Sequence, residues 1–198
     1  QKLISFLPGS NKINYWFQKY ITKGVQLSDE YFGDKLVHAN DHLRHYSGAT
    51  RKENFSSLEI GTGWYPVVPI CMYLAGAGKV VSIDLSRLLN EQAFKETILK
   101  FKAWLKEGKL KNFEPYFLES RIVQLERLDP KQLDLEALLV AFNMEYRVGD
   151  ARNLEDADAS FDLIHSNNVF EHIYPQVLKE ILLEFKRVLR SKGMMSHF

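Results

Sequence analysis

The chain has 198 residues, 45% of them apolar and 26% charged, and a net charge of +1 at neutral pH. That length suffices for one domain with a full hydrophobic core, and the near-zero charge excludes a global basic field of the kind that draws nucleic acid. The single cysteine, Cys71, excludes an internal disulfide, and no apolar run is long enough to span a membrane.

Residues 1–54 form a first segment with helical character. Ile13 to Ile21 is aromatic-rich and reads as a helix ending at Gly24. A second helix is predicted after Ser28, with Asp29 and Glu30 in its first turn, running to about Tyr46. It carries His38, His42 and His45, whose spacings of four and three put them on one face. That row reads as a polar, partly exposed face, or as a metal site or substrate-facing base. No carboxylate or cysteine completes a recognised ligand pattern, so no metal is assigned.

Residues 55–198 form the second segment. Phe55 to Ile60 reads as a buried parallel strand that stops at Gly61-Thr62-Gly63. A helix follows, with Pro66 in its first turn and apolar residues from Val67 to Leu74. Lys79 to Asp84 is a second strand ending in an acid, 23 positions after Gly61. Glycines at the turn let backbone approach a ligand, and an acid at the second strand's tip can accept hydrogen bonds from ribose hydroxyls. These are the parts of a nucleoside-cofactor site, although a glycine turn alone also occurs in proteins that bind nothing.

The segment 85–143 is longer than a one-helix crossover. Helices are predicted from about Ser86 to Gly108 and from Asp129-Pro130 to Phe142, an insertion that borders the substrate site or is purely structural. Met144 to Val148 is the third strand, closed by Gly149-Asp150-Ala151, and Phe161 to Ser166 is the fourth, ending at Asn167-Asn168. An amphipathic helix starts at Pro175. Ser191-Lys192-Gly193 is the expected turn into a fifth strand beginning at Met194.

In order, these motifs resemble those of the class I S-adenosylmethionine-dependent methyltransferases. The carriers are Glu59-Ile60-Gly61-Thr62-Gly63, Asp84, Gly149-Asp150-Ala151, Phe161 through His172, and Phe185 through Met194. Bulky Trp64, Tyr65 and Pro66 fill the turn where a dinucleotide site wants a third glycine, and Glu59 stands where a pyrophosphate would be repelled. The arrangement is similar to that of uncharacterised bacterial methyltransferases. The resemblance implies a Rossmann-like three-layer α/β sandwich, parallel strands in order 3-2-1-4-5, N-terminal helices in front, and further C-terminal strands beyond Phe198.

The resemblance also implies S-adenosylmethionine as cofactor. It assigns Glu59, Gly61, Thr62 and Gly63 to cofactor binding, Asp84 to the ribose, and Asp150 and Ala151 to the adenine. Ser166 and Asn167 fall near the methionine end, and His172 at the rim. Asp150 also reads simply as a turn residue before Arg152, and His172 as a surface residue. The implied reaction is methyl transfer to a small-molecule acceptor, O-methylation included, with His197 as first candidate for a general base; its plainer reading is a strand residue with a structural hydrogen bond. The fourth strand lacks the Asn/Asp-Pro-Pro-aromatic signature of enzymes that methylate nucleic-acid bases. A nicotinamide (NAD)-dependent oxidoreductase and a non-catalytic methyltransferase-like domain are the competing readings. A cytoplasmic location without nucleic-acid or membrane partners is expected.

Overall fold

The computed structural model describes residues 26–49 and 53–198. The helix expected over Ile13 to Ile21 lies outside the described residues. The elements, in chain order, are α1 (Asp29–Ala49), β1 (Ser56–Ile60), α2 (Val67–Leu74), β2 (Lys79–Asp84), α3 (Glu91–Lys106), α4 (Glu119–Arg127), α5 (Leu135–Ala141), β3 (Met144–Val148), β4 (Phe161–Ser166), α6 (Pro175–Val188) and β5 (Leu189–His197). Short 3-10 turns cover Glu114–Tyr116, Pro130–Gln132 and Phe170–His172.

The five strands form one sheet in the order β3-β2-β1-β4-β5, and every neighbouring pair is parallel. This is the expected Rossmann-like order. Parallel strands joined by right-handed crossovers explain the layering. The chain steps one way from β1 to β2 to β3, then the other way from β4 to β5, so the connecting helices fall on opposite faces. On one face α1 to α5 pack over Phe55, Val80, Met144 and Leu163. On the other, α6 brings Ile181, Phe185 and Val188 onto Leu58, Ile60, Val81, Ile83 and Ile164.

The register aligns the strand ends. Ile60 pairs with Ile83 and Ser166, Asp84 with Val148, and Ser166 with His197. The residues just past those ends therefore gather along one carboxyl edge. The strand order reverses between β1 and β4, where an open α/β sheet leaves a crevice for a ligand.

Several boundaries differ from the sequence expectation. Helix α3 starts at Glu91, because the Asn90 side chain accepts from the Ala93 N–H and caps it there. Asp129-Pro130 opens only the 3-10 turn; the following helix starts after Asp134, whose carboxylate accepts from the Ala137 N–H. Helix α4 was not anticipated: it has no side-chain cap, and only Leu125 is buried. Strand β5 begins at Leu189, not Met194. Leu189 pairs with Phe161 and Met194 with Leu163, so residues 190–193 bulge out of the ladder. The Arg190 guanidinium pairs with Asp162 across that bulge.

Candidate functional site

A cleft of about 490 Å³ opens at the carboxyl edge beside the switch point, within the usual size of small-molecule sites, about 300–1,000 Å³. Gly61, Asp84, Asp150, Ala151, Asn168, Val169 and His172 all line it, and Ile60, Ile83, Ile173, Val177 and Ile181 make its walls mainly apolar. The structure thus brings five of the sequence-selected residues, Gly61, Asp84, Asp150, Ala151 and His172, to one cavity.

Gly61 and Gly63 have positive φ, 77° and 76°. A Cβ at Gly61 would lie 2.5 Å from the Val169 γ2 methyl, so only glycine lets that wall close over the turn. The Gly63 N–H points at the Asp84 carboxylate, 3.3 Å from Oδ2. Burial pushes the Asp84 pKa up to about 6, against the pull of that N–H and of the Tyr146 hydroxyl. A buried carboxylate with free lone pairs facing a cleft suits a ligand that donates hydrogen bonds, as two vicinal hydroxyls do.

Asp150 is held differently. Its carboxylate accepts from the Arg152 backbone N–H at 2.9 Å and from the Arg152 guanidinium at 2.6 Å, which holds its pKa below the ordinary carboxylate value. It is at once a turn residue and part of the cleft wall. Ala151 is buried beside it. His172 sits in the 3-10 turn at the rim with its side chain 74% exposed, 3.6 Å from Glu171.

Glu59, Thr62 and Asn167 form a buried polar network with His42 of α1 and Ser196. The Thr62 hydroxyl donates to Glu59 Oε2 at 2.7 Å, and Asn167 Nδ2 donates to Oε1 at 3.4 Å. Burial raises the Glu59 pKa to about 7 despite these donors. Asn167 Oδ1 lies 3.0 Å from His42 Nε2, and His42 Nδ1 lies 2.7 Å from the Ser196 hydroxyl. With Nδ2 turned to Glu59, Oδ1 can only accept, so His42 carries its proton on Nε2 and accepts from Ser196 on Nδ1. Burial lowers the His42 pKa to about 4, which keeps the ring neutral.

The histidine row of α1 is therefore not a uniform polar face: His42 is fully buried, His38 half-buried and His45 exposed. The signal was present, since His42 falls three residues after Ala39 and four before Tyr46, both buried. Among the described residues no group of His, Cys, Asp and Glu side chains is arranged to hold a metal ion.

His197, at the end of β5, is half-buried. Its Nδ1 is 2.9 Å from the Ser166 hydroxyl, and its ring stacks on Phe170 at 4.2 Å. Burial lowers its pKa to about 4. His165, fully buried and 3.8 Å from Glu59, is likewise held well below the ordinary histidine value. Sequence reasoning missed Leu85, Ser86, Leu88, Tyr174 and Val177 as cleft residues; they carry no motif and are brought there by the ends of β2 and the start of α6.

A family model described as a methyltransferase domain matches residues 116–196. The match takes in β3, β4, α6 and most of β5, and the glycine turn and Asp84 lie before it. The match covers less than half of the chain. Among solved structures of similar fold is the PH0226 protein from Pyrococcus horikoshii OT3, 19% identical over 91% of this chain and 64% of that one, with a TM-score of 0.54. Another is phosphoethanolamine N-methyltransferase 1 from Haemonchus contortus, in complex with phosphoethanolamine and S-adenosylhomocysteine. It is 17% identical over 94% of this chain and 31% of that one, with a TM-score of 0.52. The plantazolicin methyltransferase BpumL in complex with SAH is 14% identical over 98% and 54%, TM-score 0.52. In each case this chain spans less than two thirds of its neighbour's length. No curated protein matches it in sequence.

Proposed function

We propose that the chain transfers the methyl group of S-adenosylmethionine to a small-molecule acceptor. The observation that carries this reading is the convergence of Gly61, Asp84, Asp150 and Ala151 on one cleft at the switch point. S-adenosylmethionine supplies an electrophilic methyl group on a sulfonium centre. The residues present fit such a cofactor: Asp84 can accept from both ribose hydroxyls, the apolar wall of Ile173, Val177 and Ile181 suits a purine, and Ala151 can present its N–H to a ring nitrogen. We assign the Glu59–Thr62–Asn167 network to the methionine end.

In this reading the chain acts chiefly by holding acceptor and methyl group in line, which converts an encounter into a positioned step. An oxygen acceptor would have to release its proton. His197 is bound to the Ser166 hydroxyl and stacked on Phe170, so we assign it the task of fixing Ser166.

The test is calorimetric titration with S-adenosylhomocysteine, with NAD as control. Binding of the former alone is expected. Asp84→Ala should weaken it by about 3 kcal/mol, the worth of charge-assisted hydrogen bonds to two hydroxyls, or roughly a hundredfold. Unchanged affinity in a folded variant would overturn the ribose assignment, and binding of NAD alone would overturn the cofactor.

A further inference from the structure

A second cavity, of about 510 Å³, lies against α1 and is lined by Tyr31, Asp34, Lys35, Val37, His38 and Asn168. Asn168 also lines the cofactor cleft, so the two cavities meet at the residues that follow β4. The meeting point is firmly built. The Asn168 N–H donates to the Phe198 carbonyl at 2.7 Å, and the Phe198 ring stacks on His38 with centroids 6.1 Å apart. In-line transfer needs an acceptor that approaches the methyl group from the side opposite the rest of the cofactor, and a cavity sharing a wall with the cleft is where such an acceptor can sit.

The polar groups of this cavity are under-used. Lys35 is half-buried, yet among the described residues no carboxylate forms an ion pair with it; its ammonium lies 5.6 Å from the Tyr31 ring centroid. Burial lowers its pKa, while the charges of Glu59 and Asp34 oppose the shift. His38 Nδ1 is buried and has no hydrogen-bond partner among the described residues. Asp34 is exposed, so its charge is screened by water. A desolvated ammonium without a counter-ion is a costly arrangement, relieved when a ligand brings the opposite charge.

Resting on the methyltransferase reading above, we propose that this cavity is the methyl-acceptor site, and that the acceptor carries an anionic group, carboxylate or phosphate monoester, which pairs with Lys35. Tyr31 supplies an aromatic wall and a hydroxyl donor, and His38 a further polar contact. Burial, and after it the charge of Glu59, raises the Tyr31 pKa to about 12, so the phenol stays protonated and able to donate.

The experiment titrates the chain with phenyl phosphate, benzoate and neutral benzamide, each with and without saturating S-adenosylhomocysteine, and repeats the series on Lys35→Met and Lys35→Arg. One of the two anions is expected to bind roughly tenfold more tightly than benzamide, the worth of a charge-assisted hydrogen bond. Which anion is preferred distinguishes a phosphate-bearing from a carboxylate-bearing acceptor. K35M should erase that preference and K35R should keep most of it, with S-adenosylhomocysteine affinity little changed in both. Equal binding of all three probes to the unsubstituted chain, or an anion preference that survives K35M, overturns the proposal. Failure to bind S-adenosylhomocysteine alongside Lys35-dependent anion binding would instead sink the cofactor reading.

Discussion

Gly61 and Gly63 share a backbone conformation, yet a methyl group would meet different surroundings at each. At Gly63 nothing lies within 4 Å of the added carbon, whereas at Gly61 it collides with Val169, part of the cleft wall. Gly63→Ala is therefore expected to cost only the left-handed backbone penalty, about 1–2 kcal/mol, with cofactor affinity nearly kept. Gly61→Ala adds overpacking of about 1–3 kcal/mol and moves Val169, so it should also weaken S-adenosylhomocysteine binding. Urea denaturation and calorimetry on both variants check this; equal losses of affinity would mean that Val169 does not set the cleft's width. At this scale the sequence was partly legible. The glycines and Asp84 announce themselves by type and spacing, but the Asp150–Arg152 pair and the buried state of His42 depend on neighbours brought in by the fold.

Helix α1 packs on the sheet through Phe32, Leu36, Ala39, Leu43 and Tyr46, and it is tied to β4 and β5 by the two hydrogen bonds of His42. Replacing His42 by Phe keeps an aromatic ring but leaves Asn167 and Ser196 buried without this partner, at about 1–3 kcal/mol for each group. His42→Phe is expected to lower global stability and to speed amide exchange along α1 more than along β2. The unchanged chain should also lose α1 docking in acid. The His42 pKa is about 4 in the folded state against an ordinary 6.5, so the unfolded chain binds more protons between those values. Its contribution is complete above about 6.5 and fades as pH falls through about 4. Amide exchange in α1 that does not respond to pH across that window would sink this role. Helix α1 and all five strands were readable from apolar pattern and turn residues. Helix α4 and the start of β5 were not, because one has no capping side chain and the other begins with an irregular register.

Across the molecule, the sheet buries an unusual set of ionisable groups beneath α1 and α2. The strand order was legible only through the family resemblance, whose motifs stand at the strand ends. The polar strip was legible only in part: β1 reads as a buried strand, but nothing in the local pattern shows that Ser57, Glu59, Ser82 and His165 come together as one buried set. Helix α1 covers part of this strip, and its placement there is a tertiary outcome that local pattern does not encode. The strip has a consequence for stability. Burial raises Glu59 from 4.5 to about 7, so between those values the folded chain binds more protons than the unfolded one, and stability from this group falls as pH rises. It is fully present below about 4.5 and lost above about 7. His42 and His165, held low by burial, act in the opposite sense, so the effect is read as a difference rather than from one curve. Glu59→Gln, which keeps an acceptor for Thr62 and cannot ionise, should gain stability relative to the unsubstituted chain as pH rises through that window. Urea denaturation of both at a series of pH values measures the difference. A difference independent of pH would mean that Glu59 ionises in the folded chain as readily as in the unfolded one. Its carboxylate would then already be charged at acidic pH, and α1 would close over an ion instead of a neutral acid.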